Sequence, residues 1–130
     1  MIDANVIYSA ILFPNSHISK IVESIKENHT LVISDYIIDE IDLVFQEKCA
    51  DKYIEMKTAL NNLADEIFEM TNIESEVYPA IRDIDDLPVL AGAIQSNVDI
   101  LVTGDKDFDD LKIESPRILK PRQYADEFMT

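Results

Sequence analysis

The chain is 130 residues long with 47% apolar and 28% charged residues, which describes one globular domain, residues 1–130, rather than two domains or a disordered segment. Its net charge of −15, from 26 acids against 11 bases, argues against unaided gripping of nucleic acid, since phosphate contacts normally need a basic patch. No apolar run approaches the roughly 18 residues of a membrane span, and Asp3 with no basic stretch before the apolar part excludes a signal peptide, so a cytoplasmic protein is expected.

The chain opens with "MIDANVIYSAILF", read as a short strand ending near Asp3. Residues 16–28 follow as an amphipathic helix capped by Ser16 or Asn15, with Ile18, Ile21, Val22 and Ile25 on one face. "HTLVISD" reads as a second strand. From Asp35 to about Met70 the apolar spacing is helical, first through Tyr36, Ile37, Ile41, Val44 and Phe45, then through Tyr53, Met56, Leu60, Leu63 and Ile67. This predicts two helices that break near Ala50. The single cysteine, Cys49, falls there; it excludes an internal disulfide and reads as a small buried hydrophobe.

"IESEVYP" is a weaker strand. "DDLPVLAGAIQSN" is a helix with Asp85 or Asp86 as cap, Pro88 in its first turn and Asn97 at its close. "VDILVTG" is a buried strand, "RILKP" another short one, and "PRQYADEF" a terminal helix begun by Pro121. Strands alternating with helices predict an α/β fold: a three-layer α/β/α sandwich around a central parallel sheet.

In such a sheet, ligands gather beyond the carboxyl ends of the strands. Asp3 ends the first strand, and Asp105 lies two residues past "DILVT". Asp86 starts a helix, where the helix dipole suits an acid. Glu40 lies among apolar neighbours on the first helix after the second strand. Each also has an ordinary explanation as a cap or a solvated residue, so the weight rests on the set. Four carboxylates together would cost several kcal/mol in a partly buried place. Divalent cations remove the objection: Mg²⁺ and Mn²⁺ take hard carboxylate oxygens, and a pair about 4 Å apart can activate water for attack on a phosphodiester. Asp107 is intermediate, while Asp109 and Asp110 border a surface turn and stay outside the set.

The stretches "DANVIYSAILFP", "SDYIIDEI", "RDIDDLPVLAGAIQSNVDILVTGDKDF" and "ILKP" resemble, in order, those of a PIN-domain nuclease, closest to the VapC-like toxins of toxin–antitoxin modules. The resemblance covers nearly the whole chain. It implies an endoribonuclease that uses Mg²⁺ or Mn²⁺ and leaves a 5′-phosphate and a 3′-hydroxyl. By position it makes Asp3, Glu40, Asp86 and Asp105 catalytic metal ligands, with Asp107 assisting a second ion. Asn5, Thr103 and Ser34 match the polar positions that support the acids. Lys106 and Arg82 flank the acidic motifs and are candidate contacts to the RNA backbone. The resemblance also implies a cognate antitoxin and a homodimer, to which the apolar Tyr8, Ile11, Leu12 and Phe13 are candidate contributors. The family's first strand is usually longer than the two residues that precede Asp3 here, an expected sign of a late start or truncation. The remaining basic cluster of note is Lys112, Arg117, Lys120 and Arg122. Two other readings compete: a PIN-fold binding module without activity, and a phosphotransfer receiver with Asp3 as acceptor. The long helical stretch 35–70 fits the receiver poorly.

Overall fold

Short apolar runs make the strands of this protein, and none of them is stable without its neighbour. The computed structural model describes residues 1–129. Strand β1 (Val32–Ser34) pairs in parallel with β2 (Glu66–Phe68), and β3 (Ile100–Val102) pairs in parallel with β4 (Arg117–Leu119). The opening residues lie along β3: Ile2 forms a parallel bridge with Val102, whose N–H donates to the Met1 carbonyl at 2.9 Å. The strands are therefore all parallel, as an α/β sandwich requires, although each sheet is small.

Helices cover them. α1 (Ala4–Leu12) and α2 (His17–Asn28) precede β1, while α3 (Asp35–Lys48) and α4 (Tyr53–Leu63) separate β1 from β2. α5 (Leu87–Gln95) precedes β3, and α6 (Pro121–Phe128) follows β4. Ile2, Ile7, Ile33, Ile37, Phe45, Leu90 and Leu101 are fully buried and belong to one continuous apolar core. Burial of such side chains contributes about 1.5–3 kcal/mol each against exposure. Among the described residues no helix is long and apolar enough to cross a membrane.

Local signals hold well where they were strong. Ser16 caps α2, its hydroxyl accepting from the Ser19 N–H at 3.1 Å. Asn97 closes α5 in the left-handed region at φ 61°, a conformation its short polar side chain tolerates. The break near Ala50 is a 3₁₀ turn at Ala50–Lys52, and Cys49 sits half-buried just before it, 3.6 Å from the Tyr8 hydroxyl.

The opening segment runs along β3 only as far as Asp3, whose carboxylate then caps helix α1. Two expectations need correction. The helical spacing does not run to Met70: α4 stops at Leu63, and Ile67 lies in β2 with its side chain exposed. "IESEVYP" is not a strand but a 3₁₀ turn at Ser75–Val77, since Ile73 and Val77 face solvent and, among the described residues, no strand pairs with them.

One close approach positions the site. A Cβ on Gly92 would stand 3.3 Å from the Ser34 Cβ, so the bare glycine lets α5 lie against the start of α3.

Candidate active site

Asp3 stands where the opening segment leaves β3 and turns into α1. Its N–H donates to the Val102 carbonyl at 3.0 Å, and its Oδ1 accepts from the Val6 N–H at 3.1 Å. Its Oδ2 accepts from the Thr103 hydroxyl. Only 7% of the residue is exposed. Burial pushes the carboxyl above its ordinary range, the two donors pull it back, and the charge of Asp105 raises it again.

The Thr103 hydroxyl works in two directions. While donating to Asp3 it accepts from the Asp105 N–H at 3.1 Å, so one buried oxygen sets both acids relative to the end of β3. Asp105 in turn caps a 3₁₀ turn, Lys106–Phe108, with its Oδ1 accepting from the Asp107 N–H at 2.9 Å. Phe108 is buried and anchors that turn to the core. Repulsion among Asp105, Asp107, Asp109 and Asp110 is relieved by direction: Asp109 faces Lys120 at 3.3 Å, and Asp110 faces Arg82.

Glu40 is half-buried on α3, and burial raises its carboxyl, with the charge of Asp3 adding to the shift. One turn earlier, Tyr36 has its phenol pushed up by burial and then by Glu40, Asp85 and Asp86. That hydroxyl therefore lies within the influence of acids from both α3 and the start of α5. Nothing in the sequence distinguished Tyr36 from an apolar helix residue.

Asp86 is the most perturbed acid of the site. Its carboxyl rises from an ordinary 3.8 to about 7, chiefly through burial, then through hydrogen bonding with Asp107 and the charges of Asp105, Asp107 and Asp83. Its Oδ2 is buried and lacks a hydrogen-bond partner. It occupies the cap position of α5 but makes no capping bond. Asp83, which sequence reasoning missed, caps the preceding 3₁₀ turn through the Asp85 N–H at 2.9 Å. Oxygens of Asp83, Asp86 and Asp107 lie within 4.8 Å of one another. The spacing of Asp83 and Asp86, three apart in "RDIDD", was the signal available.

The structure thus brings Asp86 and Asp107 together with Asp83, and holds Asp3 and Asp105 on one hydroxyl. The charge of Asp105 reaches Asp86, and that of Asp3 reaches Glu40. Ser34 is buried and caps α3, accepting from the Ile37 N–H at 3.3 Å, so it sets the helix carrying Tyr36 and Glu40. Asn5 is exposed on the first turn of α1, and Lys106 is exposed on its turn. Arg82 pairs with Asp110 and stands 4.0 Å from Asp107.

An all-oxygen set of carboxylates, one with a buried unpartnered oxygen and a raised pKa, fits a hard divalent cation. A cation there would satisfy the oxygen and cancel the repulsion that raises Asp86.

Among known families, the model of one described as PIN domain matches residues 1–107. No curated protein and no solved structure matches the chain.

Proposed function

The chain belongs to the PIN-domain family, whose members are typically nucleases, and from that premise we propose that it is an endoribonuclease dependent on Mg²⁺ or Mn²⁺. The observation that carries the proposal is Asp86, with its buried unpartnered oxygen and a carboxyl raised to about 7 by the acids around it. A fold that needed these residues only for shape would have no reason to keep such repulsion.

Asp83, Asp86 and Asp107 would hold one cation, and Asp3, Glu40 and Asp105 would complete the acidic set, directly or through water. A bound divalent cation supplies Lewis acidity toward the phosphodiester and a water acidic enough to serve near neutral pH. The protein's own contribution is positioning. Thr103 keeps the carboxylates of Asp3 and Asp105 in fixed register, and the Ser34 cap holds α3 so that Glu40 faces the acids. With its carboxyl raised to about 7, Asp86 holds a proton up to near neutral pH, which eases the repulsion around it, and a bound cation would take that proton's place. Tyr36 places a neutral hydroxyl beside Glu40 and Asp86, where it can donate to a phosphate oxygen.

The same resemblance supports the finer reading of a cytoplasmic toxin of a type II toxin–antitoxin module, functioning as a homodimer, with 1–130 as one domain. Phe13, 61% exposed, is the most open of the apolar residues near the N-terminus, whereas Tyr8 packs edge-on against Phe45. The receiver reading finds no support, because Asp3 already holds two donors in a buried place.

The test is direct. Single-stranded RNA incubated with the protein and Mn²⁺ should yield fragments with 5′-phosphates, and chelator should abolish them. Melting temperature should rise with millimolar Mn²⁺, by about 2.7 kcal/mol of stability at a hundredfold excess over Kd. A rise without cleavage would instead favour a binding module, and no rise would remove the cation site. Co-purification with the product of the adjacent reading frame, and light scattering, test the antitoxin and the dimer.

A further inference from the structure

The basic cluster near the C-terminus is the feature the acidic site leaves unexplained. Much of the chain's positive charge is already engaged: Arg117 grips Glu127 with both nitrogens at 2.8 and 3.1 Å, Arg82 is held by Asp110, Lys26 by Asp65 and Lys57 by Asp42. Arg122 is exposed and has no carboxylate partner among the described residues. Lys120 reaches Asp109 at 3.3 Å, with 45% of its side chain open to solvent.

These two residues share a cleft of about 780 Å³ between α2 and α6. Its polar lining is His17, Lys120, Arg122 and one acid, Asp126. Lys120 and Arg122 face Asp126 here, with Asp109 beside Lys120, so the cleft is close to neutral on a chain of charge −15 and Arg122 is its cation without a carboxylate partner among the described residues. Ile18, Ile21, Ala125 and Met129 supply an apolar floor. The cleft reaches Gly104, one peptide unit from Asp105, and nothing lies within 4 Å of where a Gly104 side chain would begin. A ligand backbone can therefore pass close to the main chain there. Lys120 also lines a second cleft, of about 530 Å³, which contains Thr103 and Asp105. One ammonium thus stands where both clefts meet the acidic loop.

We propose that the α2–α6 cleft is the track for single-stranded RNA on one side of the scissile bond, with Lys120 and Arg122 binding backbone phosphates. The apolar floor takes the face of a base, and the open backbone at Gly104 lets the strand turn toward Asp105. The assignment rests on the nuclease reading of the acidic site. It also explains how so acidic a protein holds a polyanion: contact is confined to a short groove that carries Lys120 and Arg122 beside the carboxylates.

The experiment compares wild type with Lys120→Gln/Arg122→Gln and with Lys48→Gln/Lys52→Gln, which removes the same charge from exposed residues at the α3–α4 junction outside the cleft. Binding of a fluorescent single-stranded RNA is read by anisotropy in Ca²⁺ from 50 to 200 mM salt, and cleavage is read separately in Mn²⁺. Each lost phosphate contact lowers the slope of log K against log salt by about 0.7, so the cleft variant should lose about 1.4 and bind more weakly at every salt. The Lys48/Lys52 variant should keep the wild-type slope. An unchanged slope in the cleft variant while wild type still cleaves RNA would overturn the track and leave the nuclease reading intact. An equal loss in both variants overturns it too, since the effect would then come from overall charge. A loss confined to the cleft variant in a protein that cleaves nothing removes the nuclease and overturns the track as a path to a scissile bond, leaving the cleft as an RNA-binding groove. No binding by wild type in any condition overturns both.

Discussion

Replacing Asp86 with Asn should stabilise the protein when no cation is present, and only above a certain pH. Asp86 binds its proton more tightly folded than unfolded, with a pKa of about 7 against an ordinary 3.8. Stability linked to that proton is fully present below about pH 3.8 and is lost as pH rises to about 7. At roughly 1.4 kcal/mol per unit, the full shift would amount to about 4 kcal/mol. The residue is partly exposed, so solvent screening reduces the expected cost to about 1–2 kcal/mol. Asn removes the charge at nearly constant size. In chelator at pH 8 the variant should therefore melt about 3–8 °C above wild type, as expected for a chain of this length. At pH 5, partway between the two values, the difference should shrink to roughly 40% of that, and toward zero only near pH 3.8. Adding Mn²⁺ at pH 8 should reverse the order, because the wild type gains a ligand that the variant lacks. Calorimetry or fluorescence melts at the two pH values, with and without Mn²⁺, measure all of this. A variant no more stable than wild type at pH 8 in chelator would refute the reasoning, as would the same gain at both pH values.

Thr103→Val should cost about 1–3 kcal/mol in urea unfolding, since it leaves buried Asp3 one donor short and the Asp105 N–H without its acceptor. Thr103→Ser should recover most of that loss, and a Val variant as stable as the Ser variant would show the hydroxyl to be idle. Asp105→Asn should lower Mn²⁺-dependent RNA cleavage by orders of magnitude while leaving the fold intact. Asp110→Asn, which only releases Arg82, should stay near wild type in the same cleavage assay, and equal activities in the two variants would remove Asp105 from the site.

What the sequence determined by itself is local. α2, α5 and α6 are legible because apolar spacing, a capping serine, a proline in the first turn and a closing asparagine all act within a few residues. Asp3 and Asp105 are legible for a related reason: each stands just past a short apolar run, and strand ends are where a parallel sheet gathers its acids. β2 was not legible. Three residues of mixed character become a strand only by pairing with β1, more than thirty residues earlier, helped by Asp65, whose carboxylate accepts from the Leu31 N–H at 2.8 Å. "IESEVYP" has more strand character in sequence and forms none, because among the described residues no strand pairs with it. Asp83 was nearly as hidden, as one of three acids in "RDIDD", where its spacing of three from Asp86 was the single local cue. Only the folding of its turn against the turn that carries Asp107 brings their oxygens within 4.8 Å of each other and of Asp86. Periodicity and caps act over a turn or two of chain and can be read from it, whereas strand pairing and the meeting of carboxylates from distant turns exist only once the core has closed.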